Sequence, residues 1–190
     1  MPANKVRFGL KNVHYAVLTE TVDPQTGVTT NSYGTVMAWP GAVSMNLEPQ
    51  GEINNEYADD GVYYTLASNS GYQGDFEYET MPEDFRENVL GETQDNKGVF
   101  IEESGKATVY FALLFEVNGD AHKTKKLFYK CSATRESVEN STTEDSIEMT
   151  HGTITITAVA RSDQKVSAST GSETDATVDA AWYSSVYETA

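Results

Sequence analysis

The segment Ala107–Val117, ATVYFALLFEV, constrains the fold more than any other part of the chain. Val109, Phe111, Leu113, Phe115 and Val117 recur at every second position, so an extended chain places all five on one face. A helix would scatter them around its circumference. A strand this apolar must bury that face, so the fold must contain a sheet with something packed on it.

Other segments repeat the signal. Val13–Thr21 is rich in β-branched and aromatic residues, and Asp23-Pro24-Gln25-Thr26-Gly27 supplies a turn after it. Further extended stretches run over Gly34–Trp39, stopped by Pro40-Gly41, and over Val43–Leu47 and Gly61–Leu66. In Gly71–Thr80, polar positions separate Tyr72, Phe76 and Tyr78, which marks a half-buried strand. Asn118-Gly119 predicts a hairpin from the apolar strand into Thr124–Thr134. Ile147–Ala160 reads as the last long strand, and its Thr153-Ile154-Thr155-Ile156-Thr157 run alternates strictly. Between these last two strands lies a polar loop, Glu136–Asp145. One helix is predicted over 82–90: Thr80 and Glu83 form a capping box, Phe85 and Val89 share a face, and Gly91 stops it. No internal repeat is present.

The expected architecture is mainly β, a sandwich or barrel with one short flanking helix and a long inter-strand loop at about 48–60. That loop holds Pro49, Gly51, Asn54, Asn55, Asp59 and Asp60, and its length suggests an interaction element. Residues 1–161 form the expected domain. Residues 162–190 read as a Ser/Thr/Asp-rich linker followed by an aromatic C-terminal segment, in which Trp182 and Val186 are helically spaced. Three large apolar groups near a terminus argue that the tail docks on something.

Chemistry is sparse. No nucleophile elbow or phosphate loop occurs, and His14, His122 and His151 are scattered. One cysteine, Cys131, excludes an internal disulfide and fits synthesis in a reducing cytoplasm. The opening MPANKVRFGL lacks the apolar core of a secretory leader, so an unprocessed start is expected. No apolar run is long enough to span a membrane. The acid pairs Glu77/Glu79, Glu102/Glu103 and Asp59/Asp60 satisfy the residue types a glycosidase needs, yet 29 acidic residues produce such pairs by chance. Glu52, Asn55, Glu56, Asp59 and Asp60 carry oxygen ligands without the spacing of a calcium loop, which favours a solvated loop. No enzyme, metal or cofactor is expected. Asn140-Ser141-Thr142 matches a glycosylation acceptor, without meaning where no leader is expected.

The formal net charge of −16 repels phosphate, so nucleic-acid binding is disfavoured. The basic run His122-Lys123-Thr124-Lys125-Lys126 is expected to meet an acidic patch. Tyr57, Tyr63 and Tyr64 flank the long polar loop, where aromatics serve as interface anchors. Glu52, Asn55, Tyr57, Asp59, Asp60, Tyr63, Tyr64, Trp182 and Tyr187 are the candidate subunit contacts.

Several strings, in order, carry a resemblance. YADDGVYYTLASNSGYQGDFEYETMPEDFRENVLG, YFALLFEVNGD, KTKKLFYKCSATR, the opening GLKNVHYA and the terminal AWYSSVYE together resemble the major tail proteins of siphophages infecting Gram-positive bacteria. The resemblance implies a β-sandwich with a flanking helix and a protomer of hexameric rings that join into a continuous inner barrel. It implies that Glu48–Asp60 is the loop that reaches the adjacent ring. The implied partners are other copies of the chain, a tape measure protein, tail terminator and initiator proteins, and viral DNA passing without specific binding. The implied location is the virion tail. A β-sandwich module binding carbohydrate or a receptor is the alternative, supported by the aromatic content.

Overall fold

Period-two sequence becomes antiparallel register in one large sheet. The computed structural model describes residues 4–119, 121–138 and 150–189. In chain order the elements are β1 (Arg7–Val22), β2 (Thr29–Tyr33), β3 (Met37–Ala38), β4 (Ala42–Gln50), β5 (Ile53–Ala58), β6 (Gly61–Ala67) and β7 (Gly71–Tyr78). Then follow α1 (Glu83–Asn88), β8 (Thr93–Gln94), β9 (Phe100–Ile101), β10 (Phe111–Gly119), β11 (Thr124–Ala133), β12 (Gly152–Ala158), β13 (Ser167–Ser169) and α2 (Ala176–Ala181). The sheet runs β2-β1-β10-β11-β12-β7-β4, with β3 added to β1 and β13 to β11. Its ends do not pair, so the fold is a curled sandwich and not a closed barrel.

The main core lies on one face of this sheet. Phe111, Leu113 and Phe115 of β10 meet Tyr15, Phe76, Tyr78, Phe128, Ile154 and Ile156, as their alternation predicts. Trp39 sits at the centre, its ring 4.4 Å from Phe85, 5.0 Å from Phe76 and 5.0 Å from Tyr78. Tilted and edge-on ring pairs of this kind add about 0.5–1.5 kcal/mol each beyond area burial. Phe85 and Val89 are buried as the helix pattern requires, and Gly91 takes the positive φ of 75° that ends the turn.

Five expectations need correction. The capping box is absent: Pro82 is the N-cap and makes no side-chain cap bond, and the acidic Glu83 and Asp84 favour the helix start electrostatically. The apolar strand begins at Phe111; Val109 ahead of it is 37% exposed, and its N–H donates to the Val89 carbonyl at the helix end instead of to the sheet. Gly34–Trp39 is broken: β2 ends at Tyr33 and only Met37–Ala38 pairs again, which drops Trp39 into the core. The long loop is ordered. β4 continues to Gln50, and β5 and β6 form a hairpin. The described residues form two short helices, not one.

The last long strand is described from Gly152 to Ala158; residues 147–149, part of the polar loop Glu136–Asp145, and Asn140-Ser141-Thr142 lie outside the described residues. Asp120, after Asn118-Gly119, also lies outside them. Within Ser167–Ser169, in the Ser/Thr/Asp-rich stretch, the backbone pairs with Lys126–Phe128 of β11. A second core follows on the other face of the sheet, where Ala112, Leu114, Leu127 and Tyr129 meet Trp182 and Val186. β10 is therefore buried on both faces.

Candidate assembly surface

The β5–β6 hairpin extends the β4–β7 ladder beyond the body of the sheet. At its root the Ser70 N–H donates to the Gln50 carbonyl at 2.7 Å, and the Ser68 N–H donates to the Glu52 carbonyl at 2.9 Å. At its tip Ala58 pairs with Gly61, leaving Asp59 and Asp60 as a two-residue loop with φ of 50° and 60°. Positive φ at both loop positions matches the strand twist in the type I′ manner, and aspartate tolerates that region better than most residues. A bulge between Glu56 and Tyr57 leaves Tyr63 without an opposite residue. Among the described residues, Thr65 Oγ1 donates to Asn55 Oδ1 at 2.8 Å across the hairpin.

This hairpin has no core of its own. Tyr63 is 78% exposed, Ile53 71% and Tyr57 70%, and Tyr64, Val62 and Leu66 are also exposed. Register places Ile53, Tyr57 and Val62 on one face, and Tyr64 and Leu66 on the other. Glu52, Asn55, Glu56, Asp59 and Asp60 are exposed beside them. A two-stranded hairpin with no packed face is marginally stable by itself in water, and these exposed apolar side chains make it a candidate interaction surface.

The outer face of β4, β7 and β12 has a different character. Cross-strand rows read Ser44–Glu77–Thr153, Asn46–Asp75–Thr155 and Glu48–Gln73–Thr157. Ser44 Oγ donates to Glu77 Oε2 at 2.7 Å, and Thr155 Oγ1 donates to Asp75 Oδ1 at 2.8 Å. These three strands contain no lysine or arginine. The face is therefore polar, and its only charges, Glu48, Asp75 and Glu77, are negative. Beside it, β4 ends the sheet with an outer edge that no strand among the described residues covers, and Pro49 on it removes one donor.

Trp182 and Tyr187 occupy the tail. Trp182 is 3% exposed and stacks on Tyr187 at 5.8 Å, within the second core of its own chain. Tyr183 stacks on His14 at 4.4 Å. Arg161, itself buried, fastens the segment. Its Nη2 donates to Glu188 Oε2 at 2.9 Å and to Asp163 Oδ2 at 2.7 Å, and its guanidinium lies 4.8 Å from the Tyr129 ring centre. These bonds hold the Asp163 carboxyl well below the usual carboxylate range. Burial pushes Tyr33, which receives a bond from Arg161 Nη1 at 3.1 Å, up to about 12. Sequence reasoning missed Arg161, because an isolated arginine in a polar stretch gives no signal of the partners that surround it.

Several other charges pair locally. Lys123 reaches Glu116 and Lys125 reaches Asp179, both at 3.0 Å, so the basic cluster does meet acids, and they belong to its own chain. Glu102 and Glu103 pair with Arg135 and Lys106. Among the described residues no group of His, Cys, Asp and Glu is placed to hold a metal ion, and no helix is long and apolar enough to cross a membrane.

The model of the phage tail tube protein family matches residues 7–182, nearly the whole chain. The chain belongs to the phage tail tube protein family. No curated protein matches it. A tail tube protein is a structural protein of the bacteriophage virion, and its sequence resemblance to major tail proteins agrees with the mainly β fold.

Proposed function

We propose that this tail tube protein is the protomer of hexameric rings that stack into the non-contractile tail tube of a siphophage with a Gram-positive host. The outer face of β4, β7 and β12 lines the channel, and Glu48, Asp75 and Glu77 supply its negative charge. The β4 edge pairs with the neighbouring copy, and the hairpin carries contacts between copies through Tyr57, Tyr63 and Tyr64, with Glu52, Asn55, Asp59 and Asp60 around them. Tyr187, half-buried at the tail, offers a separate contact to another copy, whereas Trp182 acts by holding the tail in place. The observation that carries this reading is the uncovered β4 edge beside a face of carboxylates with no cation.

The physics supports it. Head-to-tail contacts that close give rings, and closure removes exposed strand edges. Duplex DNA carries one charge per roughly 1.7 Å of its axis, and a carboxylate wall keeps it from adhering. At physiological salt the repulsion reaches only about 8 Å, so the wall is non-stick and drives nothing. The protein is made in the host cytoplasm, acts without turnover, and meets a tape measure protein within the tube and terminator and initiator proteins at its ends.

Electron microscopy of the purified protein tests the reading. Six-fold rings and stacked tubes are expected at high concentration; stable monomers at every concentration and salt overturn it. Removing residues 52–68 is expected to change the unfolding free energy by no more than a surface substitution does, about 0.5 kcal/mol, and to abolish tubes.

A further inference from the structure

The strongest unassigned feature is an open cleft of about 370 Å³ between the start of β1 and the end of β4. Phe8, Leu10, Leu47, Tyr72, Phe115 and Phe128 form its apolar wall. Arg7 and Lys126 stand at its rim; among the described residues no carboxylate lines it and neither cation forms an ion pair. In a chain of net charge −16, an apolar cleft with only positive charge is an exception that asks for a matching surface.

The same chain carries that match. Residues 51–70 contain four acids, Glu52, Glu56, Asp59 and Asp60, no lysine or arginine, and the most exposed aromatic side chains of the fold. We propose that the β5–β6 hairpin of one copy seats in the Phe8/Leu47/Phe128 cleft of a second copy, its tyrosines filling the apolar wall and its carboxylates meeting Arg7 and Lys126. This rests on the reading of the chain as a self-assembling protomer and names the acceptor for its hairpin.

Geometry selects which copy. Leu47 and Tyr72 lie next to the hairpin root at Gln50 and Gly71, so cleft and root share one end of the sheet. A copy displaced along the tube axis brings its opposite end to that place. A copy rotated about the axis brings the same end. The occupant is therefore the hairpin of the neighbour within the ring. Because the hairpin is apolar on both faces, one face fills the cleft while the other stays available to the next ring.

A photo-crosslinking amino acid placed at Tyr63, and separately at Tyr64, in the full chain tests this, with crosslinked peptides mapped by mass spectrometry. Crosslinks to segments 7–10, 45–47 or 126–128 of another copy are expected from at least one position. Arg7→Glu with Lys126→Glu is expected to raise the concentration needed for assembly about tenfold while leaving the monomer's thermal midpoint unchanged, and Glu52→Lys with Glu56→Lys in the same chain is expected to restore it. If removing residues 52–68 abolishes assembly yet crosslinks map only to the opposite end of the sheet, the cleft is not the acceptor and the protomer reading stands. If the chain assembles equally well without the hairpin, the contact role fails, and the cleft proposal with it. A charge reversal without effect on assembly also overturns the cleft.

Discussion

Arg161 shows how one side chain ties distant sequence together. Its guanidinium joins Asp163, Glu188, Tyr33 and the face of Tyr129, so the tail is held at a charged point beside an apolar one. Asp163 is depressed in the fold by these bonds. Its contribution is therefore present above the ordinary carboxylate range of about 4 and is lost as pH falls through the lowered value. Tyr33 is raised, so its contribution is complete below about 10 and is lost as pH rises through about 12. Thermal midpoints measured across acid pH are expected to fall less steeply for Asp163→Asn than for the parent; superimposable acid limbs would disprove the clamp. In the main core, Phe111→Ala is expected to cost about 3–5 kcal/mol by chemical denaturation, since the ring is fully buried and its neighbours cannot close the gap. An unchanged midpoint would show that this face is misassigned.

At the scale of elements, the C-terminal segment behaves as part of the sheet's packing. Ser167–Ser169 occupies the stretch of β11 that β12 leaves unpaired, and α2 with Trp182 and Val186 covers the far face of β10 and β11. Truncation after Thr174 is expected to expose Leu114, Leu127 and Tyr129, to lower the thermal midpoint and to create a binding site for a hydrophobic dye. Trp182→Ala alone is expected to cost about 3–5 kcal/mol. Full stability of the truncated chain would mean that the tail adds no core. The hairpin is the opposite case. It is bonded along its ladder and packed against nothing, so changes there belong to association and not to folding.

For the whole molecule, charge and edge act together. Most cations are neutralised in ion pairs within the chain, which leaves the β4–β7–β12 face uncompensated. Replacing Glu48, Asp75 and Glu77 by lysine is expected to leave tubes intact by electron microscopy and to make them retain duplex DNA in co-sedimentation. That retention should weaken steeply as salt rises above about 0.15 M. Tubes that still exclude DNA after this reversal would remove the face from the channel.

The strands were legible from local sequence, because alternation is a local property and burial on one face follows from period two. Phe76, Tyr78, Ile154 and Ile156 were legible on that ground, as were Phe85 and Val89 on the helix. The sequence also made the exposed tyrosines beside the acidic stretch stand out. Only the tertiary structure decided that the acidic stretch is a hairpin, since Asp59-Asp60 is not a usual type I′ pair and the flanking strands lack alternation. It alone revealed the second core, because Leu114 and Trp182 are far apart in sequence and each looks unexceptional alone. The boundary at Phe111 was likewise a matter of tertiary contact, since the Val109 N–H donates to the Val89 carbonyl, a pairing that no periodicity encodes.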